Sequence, residues 1–476
     1  MSNSNIHEPM NHEKIVNALE RTKEVMDDVN KHHFVSTLSN KAVFCRETLN
    51  NKGEIEVKEH SKRDFLDLYN QLGTVYGPLG NKLAWQNVMD FWINNKDRRQ
   101  YEKNIFEPNC NDKRFYNYWR GFYIKDDQVG DFPHIAHHLK HVWCNGDEEK
   151  YTYLLKWFAH LFQYPEKMPG VALVIKGEKG TGKSGFIDAI GQKILGNMYI
   201  KVTDPKHLIG HFNFHLFGKL LVVSEEAIWA GDKSKEGKLK SMITDSQIII
   251  ERKGYDAEMV NNYLRFIFLT NETFSVPATY DERRFFALRI SSEYKEDKQY
   301  FMNLYNAMNE CEIVQFFNYL KEYKFNEIDI LTPPVTSALF EDIKAGMDIF
   351  DRWLYDLIDC YSANEKPELD NNNWLDSELG IYFNNRVKTK NLFLSYSRYM
   401  EYAKSHGIYY SSPKVSSQTM MTQMLTNGKD VSYSFEKGRD SKGTYINFPS
   451  VENAKKIFED KFSCKIEWSH TEFFID

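Results

Sequence analysis

The spacing of apolar residues changes several times along the chain, and each spacing predicts a different element. In residues 1–40, sparse apolar positions about one helical turn apart predict a surface helix. Residues 41–59 alternate apolar and polar side chains around a turn signal at residues 50–53, as half-buried strands do. Residues 135–163 return to helical spacing, and Pro165 and Pro169 end this helical region.

Residues 171–290 alternate short apolar runs with helical segments, which is the pattern of an α/β sheet layered with helices. A helical bridge over residues 298–327 leads to a linker at residues 332–334. Beyond an acidic, asparagine-rich loop, helices are predicted at residues 391–404 and 416–426. Two strands, at residues 431–435 and 443–448, then flank a basic turn at 436–442, so this unit is predicted to be winged-helix-like.

Composition narrows the class of protein without choosing a function. The 476 residues, 42% hydrophobic and 27% charged, suffice for roughly two to four folded domains. A net charge of −6 means that any nucleic-acid site must be a local basic surface. The six scattered cysteines lack the C-x-x-C spacing of a zinc ribbon. Because the N-terminus has no signal-peptide pattern and the longest apolar runs are strand-sized, we expect a soluble, cytoplasmic protein without a membrane partner.

A glycine-rich loop follows the first buried strand of the α/β region. A helical pattern begins directly after its eight residues, which are Gly177, Glu178, Lys179, Gly180, Thr181, Gly182, Lys183 and Ser184. The glycines let successive backbone N–H groups surround phosphate oxygens, and the helix N-terminus adds partial positive charge. This strand–loop–helix context predicts that Lys183 contacts the β- and γ-phosphates of ATP and that Ser184 ligates Mg²⁺.

Two further strands end in polar residues that suit the same chemistry. The apolar run at residues 219–224 is followed by Glu225 and Glu226. A parallel strand beside the loop strand would bring Glu225 to Mg²⁺ through water and Glu226 to the attacking water. The strand at residues 264–269 leads to Asn271, whose amide could hydrogen-bond the γ-phosphate. Alone, the Glu-Glu pair could simply meet solvent and Asn271 could simply form a turn.

This order of loop, Glu-Glu strand, basic hairpin and Thr-Asn strand resembles the superfamily 3 helicases of papillomaviruses, parvoviruses and polyomaviruses. The likeness is greatest to the primase-helicase ATPase modules of poxviruses, large DNA viruses, phages and plasmids, and it extends best over residues 108–290. Aromatic segments at residues 107–122 and 157–165 also resemble the phage members. The resemblance implies an AAA+-type fold, a homo-oligomer (a hexameric ring), ATP-driven movement on single-stranded DNA and 3′-to-5′ unwinding.

The resemblance also assigns a DNA-contacting hairpin to residues 248–256. Lys253 falls at the family's DNA-contacting lysine, and a cation at a hairpin tip can track phosphates. The neighbouring Tyr255 could stack on bases. Gly254 departs from the pattern, because the papillomavirus-type members have histidine there. The alternative is that residues 251–253 are a solvated charged turn.

An arginine after the Thr-Asn strand reaches a neighbouring subunit's ATP in the family, so the resemblance implies that Arg283 or Arg284 acts as a finger. Such an arginine stabilises charge on the γ-phosphoryl oxygens. The sequence does not choose between the two, and one of them could form an internal salt bridge instead. Because the finger acts between subunits, this assignment implies an oligomer.

The predicted fold class is α/β, with an AAA+-like P-loop ATPase core, a helical and aromatic N-terminal region and a C-terminal winged-helix-like domain. The candidate DNA contacts in that last domain are Lys414, Lys437, Arg439 and Lys442. An equally supported alternative is that the wing binds protein or is simply solvated. The expected units are an N-terminal accessory region (1–106), a helical collar (107–168), the ATPase core (169–295), a helical bridge and linker (296–335) and the C-terminal domain (336–476).

Two other chemistries have less support. Four histidines, His134, His137, His138 and His141, share one helical face and could bind zinc, but no cysteine or acid completes the set. A primase needs a carboxylate triad, whereas the only tight acidic pair before residue 117 is Asp27-Asp28 on the predicted surface helix. We therefore expect neither a zinc site nor primase activity.

Three functions remain in view. The first is an ATP- and Mg²⁺-dependent DNA helicase from a virus, phage or mobile element, acting on single-stranded or forked DNA with a separate primase or other replication proteins. The second is a nucleotide-switched initiator or loader that binds DNA without unwinding it. The third is a defence or scaffolding ATPase whose ring recruits a partner. The paired carboxylates and basic hairpin favour the first.

Overall fold

The computed structural model describes most of the chain, including the whole of the α/β region apart from four short gaps. The described residues are 11–38, 40–51, 53–225, 233–271, 276, 278, 282–363, 374, 379–406, 415–426, 433–462, 466 and 468. Among these residues, no helix combines the length and apolar character needed to cross a bilayer.

The N-terminal unit packs three helices against a three-stranded antiparallel sheet, in the order β1-β2-β3, and a separate hairpin. Its elements are α1 (His12–His32), β1 (His33–Leu38), β2 (Lys41–Leu49), β3 (Ile55–His60), α2 (Lys62–Tyr69), β4 (Thr74–Leu79), β5 (Lys82–Asn87) and α3 (Val88–Asn94). The helix predicted within residues 1–40 is present but ends at His32, because residues 33–38 form the mostly buried strand β1, and the alternating strands predicted for residues 41–59 are β2 and β3. Phe65 and Trp92 fill the centre of this unit and are fully buried.

A helical collar leads into the sheet. After the short parallel pair β6 (Lys103–Ile105) and β7 (Phe115–Asn117) come α4 (Pro133–His137), a π-helical segment (His138–Trp143) and α5 (Glu148–Gln163). The single helical stretch predicted for residues 135–163 is therefore interrupted. Asn145 and Gly146 adopt positive φ angles of 52° and 77°, and the Asp147 carboxylate caps α5. An Asn-Gly turn followed by an N-cap residue ends one helix and begins the next.

The central sheet has five parallel strands in the order β14-β8-β13-β10-β9, which confirms the predicted α/β fold with a parallel sheet. The elements of this region are β8 (Ala172–Lys176), α6 (Lys183–Ile190), β9 (Tyr199–Val202), α7 (Pro205–Ile209), β10 (Leu221–Glu225), α8 (Lys233–Thr244), β11 (Gln247–Ile250), β12 (Glu258–Asn261), β13 (Arg265–Thr270) and β14 (Phe285–Arg289). β11 and β12 form a separate antiparallel hairpin.

The two faces of the sheet are covered by different helices. Leu173 and Ile175 pack with α5, α6 and the helix of residues 313–322, whereas Ala172 and Val174 pack with the C-terminal helices. Strands buried on both faces are almost continuously apolar, which is why the sequence shows them as short hydrophobic runs. On the first face, α9 (Lys298–Ala307) and α10 (Ile313–Glu322) complete the helical layer.

The C-terminal unit follows α11 (Ser337–Gly346), which lies against β14. Its elements are α12 (Ile349–Ala363), β15 (Arg386–Lys388), α13 (Thr389–Ser405), α14 (Gln418–Leu425), β16 (Glu436–Asp440), β17 (Gly443–Asn447) and α15 (Val451–Phe462). The three strands form an antiparallel sheet in the order β15-β17-β16. Its core is continuous with one face of the central sheet, through residues such as Phe350 and Trp353.

One strand prediction in this unit is wrong. Residues 433–435 do not pair as a strand, and the predicted basic turn at 436–442 is mostly strand β16. The side chains of Tyr433 and Phe435 are buried in the core, and their backbone N–H groups donate to carbonyls of α14. The real turn is two residues long, because the Asp440 carboxylate accepts from the Lys442 N–H at 2.7 Å and Gly443 has φ +120°.

Candidate functional site

The loop between β8 and α6 has the backbone shape of an anion cradle. Gly180 and Gly182 adopt φ angles of +84° and +79°, and Gly182 is the N-cap of α6. Left-handed backbone of this kind directs successive N–H groups toward one point. Thr181 closes the loop by donating its hydroxyl to the Glu178 carbonyl at 2.8 Å.

Lys183 begins α6 and folds its side chain back under the loop. Its ammonium donates to the Gly177 carbonyl, to the Glu178 carbonyl at 2.8 Å and to Asn271 Oδ1 at 3.1 Å. Burial lowers the pKa of Lys183, and the nearby Glu178 carboxylate opposes that change. The loop therefore surrounds one buried ammonium, which is the group that a phosphate oxygen needs.

The outside of the loop is tied to the segment before α9. Glu178 forms a salt bridge with Lys295 at 2.5 Å, and this pairing lowers the pKa of the Glu178 carboxyl. The Glu296 N–H donates to the Gly180 carbonyl at 3.0 Å. Lys179 extends into solvent. These contacts hold the outer side of the loop against the segment before α9, whereas Lys183 occupies its inner side.

Ser184 and Glu225 come together beside the loop. The Ser184 hydroxyl hydrogen-bonds the Glu225 carboxylate, which also accepts from Lys201 Nζ at 2.9 Å. Burial raises the pKa of Glu225, but the hydroxyl and the ammonium outweigh it, so its pKa lies below the ordinary value. One hydroxyl and one ionised carboxylate are the oxygen donors that Mg²⁺ prefers.

The parallel register explains why these residues meet. Thr270 pairs with Lys176 and Glu225 pairs with Leu269, so β8, β13 and β10 end at the same edge. Asn271 directly follows β13, and its amide oxygen reaches Lys183. The structure therefore brings together Lys183, Ser184, Glu225 and Asn271. Glu226 lies outside the described residues.

The two candidate finger arginines lie at the opposite edge of the sheet. The Ala172 N–H donates to the Arg284 carbonyl, so both arginines precede β14 where β8 begins. Arg284 forms a 3.2 Å ion pair with Glu282, a buried carboxylate that Lys240 also contacts. Arg283 is exposed and has no ion pair with a described residue. Five strand residues, about 16 Å, separate this edge from the loop of the same chain.

The β11–β12 hairpin exposes Lys253 but holds the rest of its tip against the N-terminal unit. Arg252 forms a salt bridge with Glu59, and Lys41 Nζ donates to the Gly254 carbonyl at 2.9 Å. Tyr255 lies beside both cations, with Lys41 Nζ 5.3 Å from its ring centre. The tip is therefore a docked turn from which one lysine projects.

Beneath this hairpin is a cavity of about 170 Å³. Apolar residues from the hairpin, β6 and the segment before β10 line much of it, including Phe106, Phe217 and Val260. Lys103 crosses from β6 to the hairpin and forms a salt bridge with Glu258. The underside of the hairpin thus faces this cavity and is not fully packed against a core.

In the C-terminal unit, Lys437 and Arg439 are exposed on β16 and lie on the same side of the strand, with one residue between them. Lys442 occupies the turn after it, and Lys414 lies outside the described residues. Residues 415–426, which include α14, contain no lysine or arginine. Of α14 and the β16–β17 hairpin, only the hairpin is therefore basic.

The histidine face is occupied by structural contacts. His134 Nδ1 lies 2.6 Å from Glu312, and buried His138 lies between Trp143 and Tyr300. Because the Trp143 ring nitrogen can only donate, His138 Nε2 accepts and its Nδ1–H donates to the Tyr300 hydroxyl. Within the described part of the chain, no three His, Cys, Asp or Glu side chains are grouped as metal ligands.

Sequence reasoning missed two residues of the loop edge. Lys201 on β9 contacts both Glu225 and Asp188, and Asp188 lies one helical turn after Ser184. Neither belongs to a recognised motif. The i, i+4 spacing of Ser184 and Asp188 was the only available signal, since it places both on one face of α6.

Comparisons with known proteins find relatives for parts of this chain. Residues 175–284 match a family described as "Family of unknown function (DUF5906)". Over 193 residues the chain is 29% identical to a DNA primase-polymerase of Nitratiruptor phage NrS-1. That alignment covers 40% of this chain and 27% of the relative, so the chain matches only about a quarter of the relative's length.

Two solved structures of the NrS-1 C-terminal region in its apo form share the fold. One has a TM-score of 0.58 at 18% identity, and the other a TM-score of 0.56 at 18% identity. Each comparison covers 90% of this chain and 98% of the solved chain. The likeness therefore extends beyond the parallel sheet to nearly the whole mixed α/β structure.

Proposed function

We propose that this protein is an ATP-dependent motor on single-stranded DNA that serves phage or mobile-element DNA replication. The observation that carries the proposal is the meeting of Lys183, Ser184, Glu225 and Asn271 at one edge of a parallel sheet. Ligands of open α/β sheets bind at the carboxyl ends of the strands. The replication setting comes from the similarity to the NrS-1 primase-polymerase.

ATP would bind with its phosphates in the cradle of residues 177–184. Lys183 would exchange its carbonyl contacts for phosphate oxygens, and the left-handed turns at Gly180 and Gly182 would present N–H groups to them. Ser184 and Glu225 would hold Mg²⁺, which when bound supplies positive charge against the phosphates. Asn271 would orient the γ-phosphate, and Glu226 would activate the attacking water.

Arg283 is the better candidate for the finger. Arg284 already neutralises a buried carboxylate, whereas Arg283 is exposed and unpaired among the described residues. Because Arg283 lies at the edge opposite its own phosphate loop, it would serve the loop of another copy. This arrangement supports an AAA+-type oligomer, with a hexameric ring as the expected form.

DNA would contact the molecule at two places. Lys253 would bind phosphates from the hairpin tip, with Tyr255 beside it. The order α12, β15, α13, α14, β16 and β17 supports a winged-helix reading of the C-terminal unit. There Lys437 and Arg439 would contact the DNA backbone, since α14 carries no cation for base readout.

The test is ATP turnover with and without single-stranded DNA. We expect DNA-stimulated hydrolysis that Lys183→Ala abolishes and that Glu225→Gln and Glu226→Gln each reduce at least tenfold. Lys206→Ala, at an exposed lysine of α7 outside the loop, is the matched control and should retain activity. If the purified protein hydrolyses no nucleoside triphosphate with any polynucleotide, the proposal is wrong.

A second candidate is a nucleotide-switched initiator or loader that binds DNA without unwinding it. The docked hairpin tip favours this candidate, because Arg252 and Lys41 hold it against the N-terminal unit. A fluorescent fork-unwinding assay separates the two. Unwinding that Lys253→Ala removes while basal ATPase remains supports the motor, whereas ATP-dependent DNA binding without strand separation supports the loader.

A further inference from the structure

Two carboxylates, and not one, border the candidate metal position. Ser184 and Asp188 lie one turn apart on α6, and Glu225 ends β10 beside them. The Ser184 hydroxyl bonds Glu225, while Asp188 accepts from the Tyr199 hydroxyl at 2.5 Å. All three side chains are therefore held in place by neighbours.

A single ammonium connects these two acids. β9 pairs in parallel with β10, so Lys201 comes alongside the end of that strand. Its Nζ lies 2.8 Å from Asp188 Oδ2 and 2.9 Å from Glu225 Oε1. Each of the three side chains is about one quarter to one third exposed, so water and ions can reach them.

We propose that Lys201 is a built-in counter-cation that competes with Mg²⁺ for Glu225, so that the metal binds strongly only together with nucleotide. This inference rests on the proposed nucleotide function. With Lys201, the two acids carry a net charge of −1, and a divalent ion must approach an ammonium. The phosphates of a nucleotide would add the negative charge that tips the balance toward the metal.

Two substitutions are expected to change the Mg²⁺ affinity in opposite directions, and this difference tests the proposal. Lys201→Gln leaves both carboxylates without their cation, so Mg²⁺ should bind at least tenfold more tightly. Asp188→Asn leaves Lys201 to Glu225 alone, so Mg²⁺ should bind more weakly. Lys201→Arg keeps the charge and should behave like the original protein. A residue that only joins α6 to β9 would not produce this pattern.

The experiment titrates Mg²⁺ into the full chain with a fluorescent, non-hydrolysable ATP analogue, and separately titrates Mn²⁺ without nucleotide by electron paramagnetic resonance. Lys206→Gln, an exposed lysine on α7, is the control. Thermal unfolding verifies that each variant is folded. The expected results are the tenfold tighter Mg²⁺ dependence of Lys201→Gln and its gain of nucleotide-free Mn²⁺ binding.

Two failures are distinguishable. If the original protein binds the analogue and Lys201→Gln leaves the Mg²⁺ dependence unchanged or weaker, the counter-cation inference is wrong and the proposed function stands. If the original protein binds no nucleotide at any Mg²⁺ concentration, the proposed function is wrong and this inference is lost with it.

Discussion

At Gly182 the backbone turns from the loop into α6 at φ +79°, and the ring of Phe301 lies where a side chain would be. Two separate physical effects therefore require glycine. A left-handed backbone costs an ordinary residue about 1 kcal/mol, and a Cβ would also displace the ring. Phe301 belongs to α9, so the position of that helix limits which residue the loop can have at position 182.

Gly182→Ala is expected to lower nucleotide affinity at least tenfold, because the loop must shift to clear Phe301. The measurement is titration with a fluorescent ATP analogue. Gly80→Ala provides the control, since Gly80 has φ +59° but no atom within 4 Å of the added carbon. The substitution at Gly182 should cost more stability than the control, in which the backbone strain alone costs about 1 kcal/mol. Equal nucleotide affinity for the two variants would contradict the close-packing argument.

Buried His138 makes the protein sensitive to acid. Burial lowers its pKa to about 3, and the Trp143 N–H occupies its acceptor nitrogen. The folded state thus binds a proton less readily than the unfolded chain, whose histidine has a pKa near 6.5. Stability from this group is complete above pH 6.5 and is lost as pH falls toward 3.

Urea unfolding at pH 7.5 and pH 5 measures this loss, which should be about 2 kcal/mol for His138. In His138→Gln the fall in unfolding free energy between the two pH values should be smaller by that amount. His141→Gln, at an exposed position of the same π-helical segment, should keep the full fall. An unchanged pH dependence in His138→Gln would exclude His138 as the source.

Among the elements, α11 is joined to the strand that precedes the phosphate loop. Lys176, the last residue of β8, forms a 2.9 Å salt bridge with Asp342 on α11, and both side chains are fully buried. Lys176 also donates to the Ala338 carbonyl at 2.8 Å. The end of β8, just before the glycine-rich loop, is therefore joined to α11 through a buried ion pair and a hydrogen bond.

Breaking this pair should be costly. Asp342→Leu would remove the nearer carboxylate of the buried Lys176 ammonium and leave it the more distant, partly exposed Glu341 at 3.7 Å, at a cost of about 3 kcal/mol in the free energy of unfolding. The double variant Lys176→Met with Asp342→Leu removes both charges and should recover most of that loss. Urea unfolding measures both. Additive losses in the double variant would show that the two charges do not stabilise each other.

How far the sequence predicts each element depends on whether the element is defined by local pattern. β8, β10 and β13 are continuously apolar, so their burial in a parallel sheet was predictable, and with it the meeting of Glu225 with the phosphate loop. β16 was not, because its polar residues resemble a turn and its edge position needs no apolar face. The contact of Lys201 with Glu225 could not be predicted for a related reason, because it depends on which strand lies next to β10.

On the scale of the whole molecule, the phosphate loop and Arg283 lie at opposite edges of one sheet. Neither Lys183→Ala nor Arg283→Ala alone should hydrolyse ATP at a normal rate. Mixed together, however, they should regain activity, since a cleft between copies can take its loop from one variant and its arginine from the other. About a quarter of the clefts would be complete in an equal mixture.

The mixing experiment needs a control for subunit exchange. Lys183→Ala mixed with Lys183→Ala plus Arg283→Ala supplies no intact loop and should stay inactive at every ratio. Activity of Arg283→Ala alone at the original rate would exclude Arg283 as the finger, and Arg284 would then be examined. Recovery that rises with total protein concentration would support contact between copies.

The opposite placement of loop and arginine on the sheet also constrains how copies can associate. A two-fold symmetric pair can complete two clefts only if a single surface holds both the donor edge and the acceptor edge, which lie about 16 Å apart. If copies instead follow one another head to tail, every open stack leaves one acceptor unused at one end and one donor unused at the other. Turnover per chain should therefore climb with stack length and reach its maximum only when the two ends join.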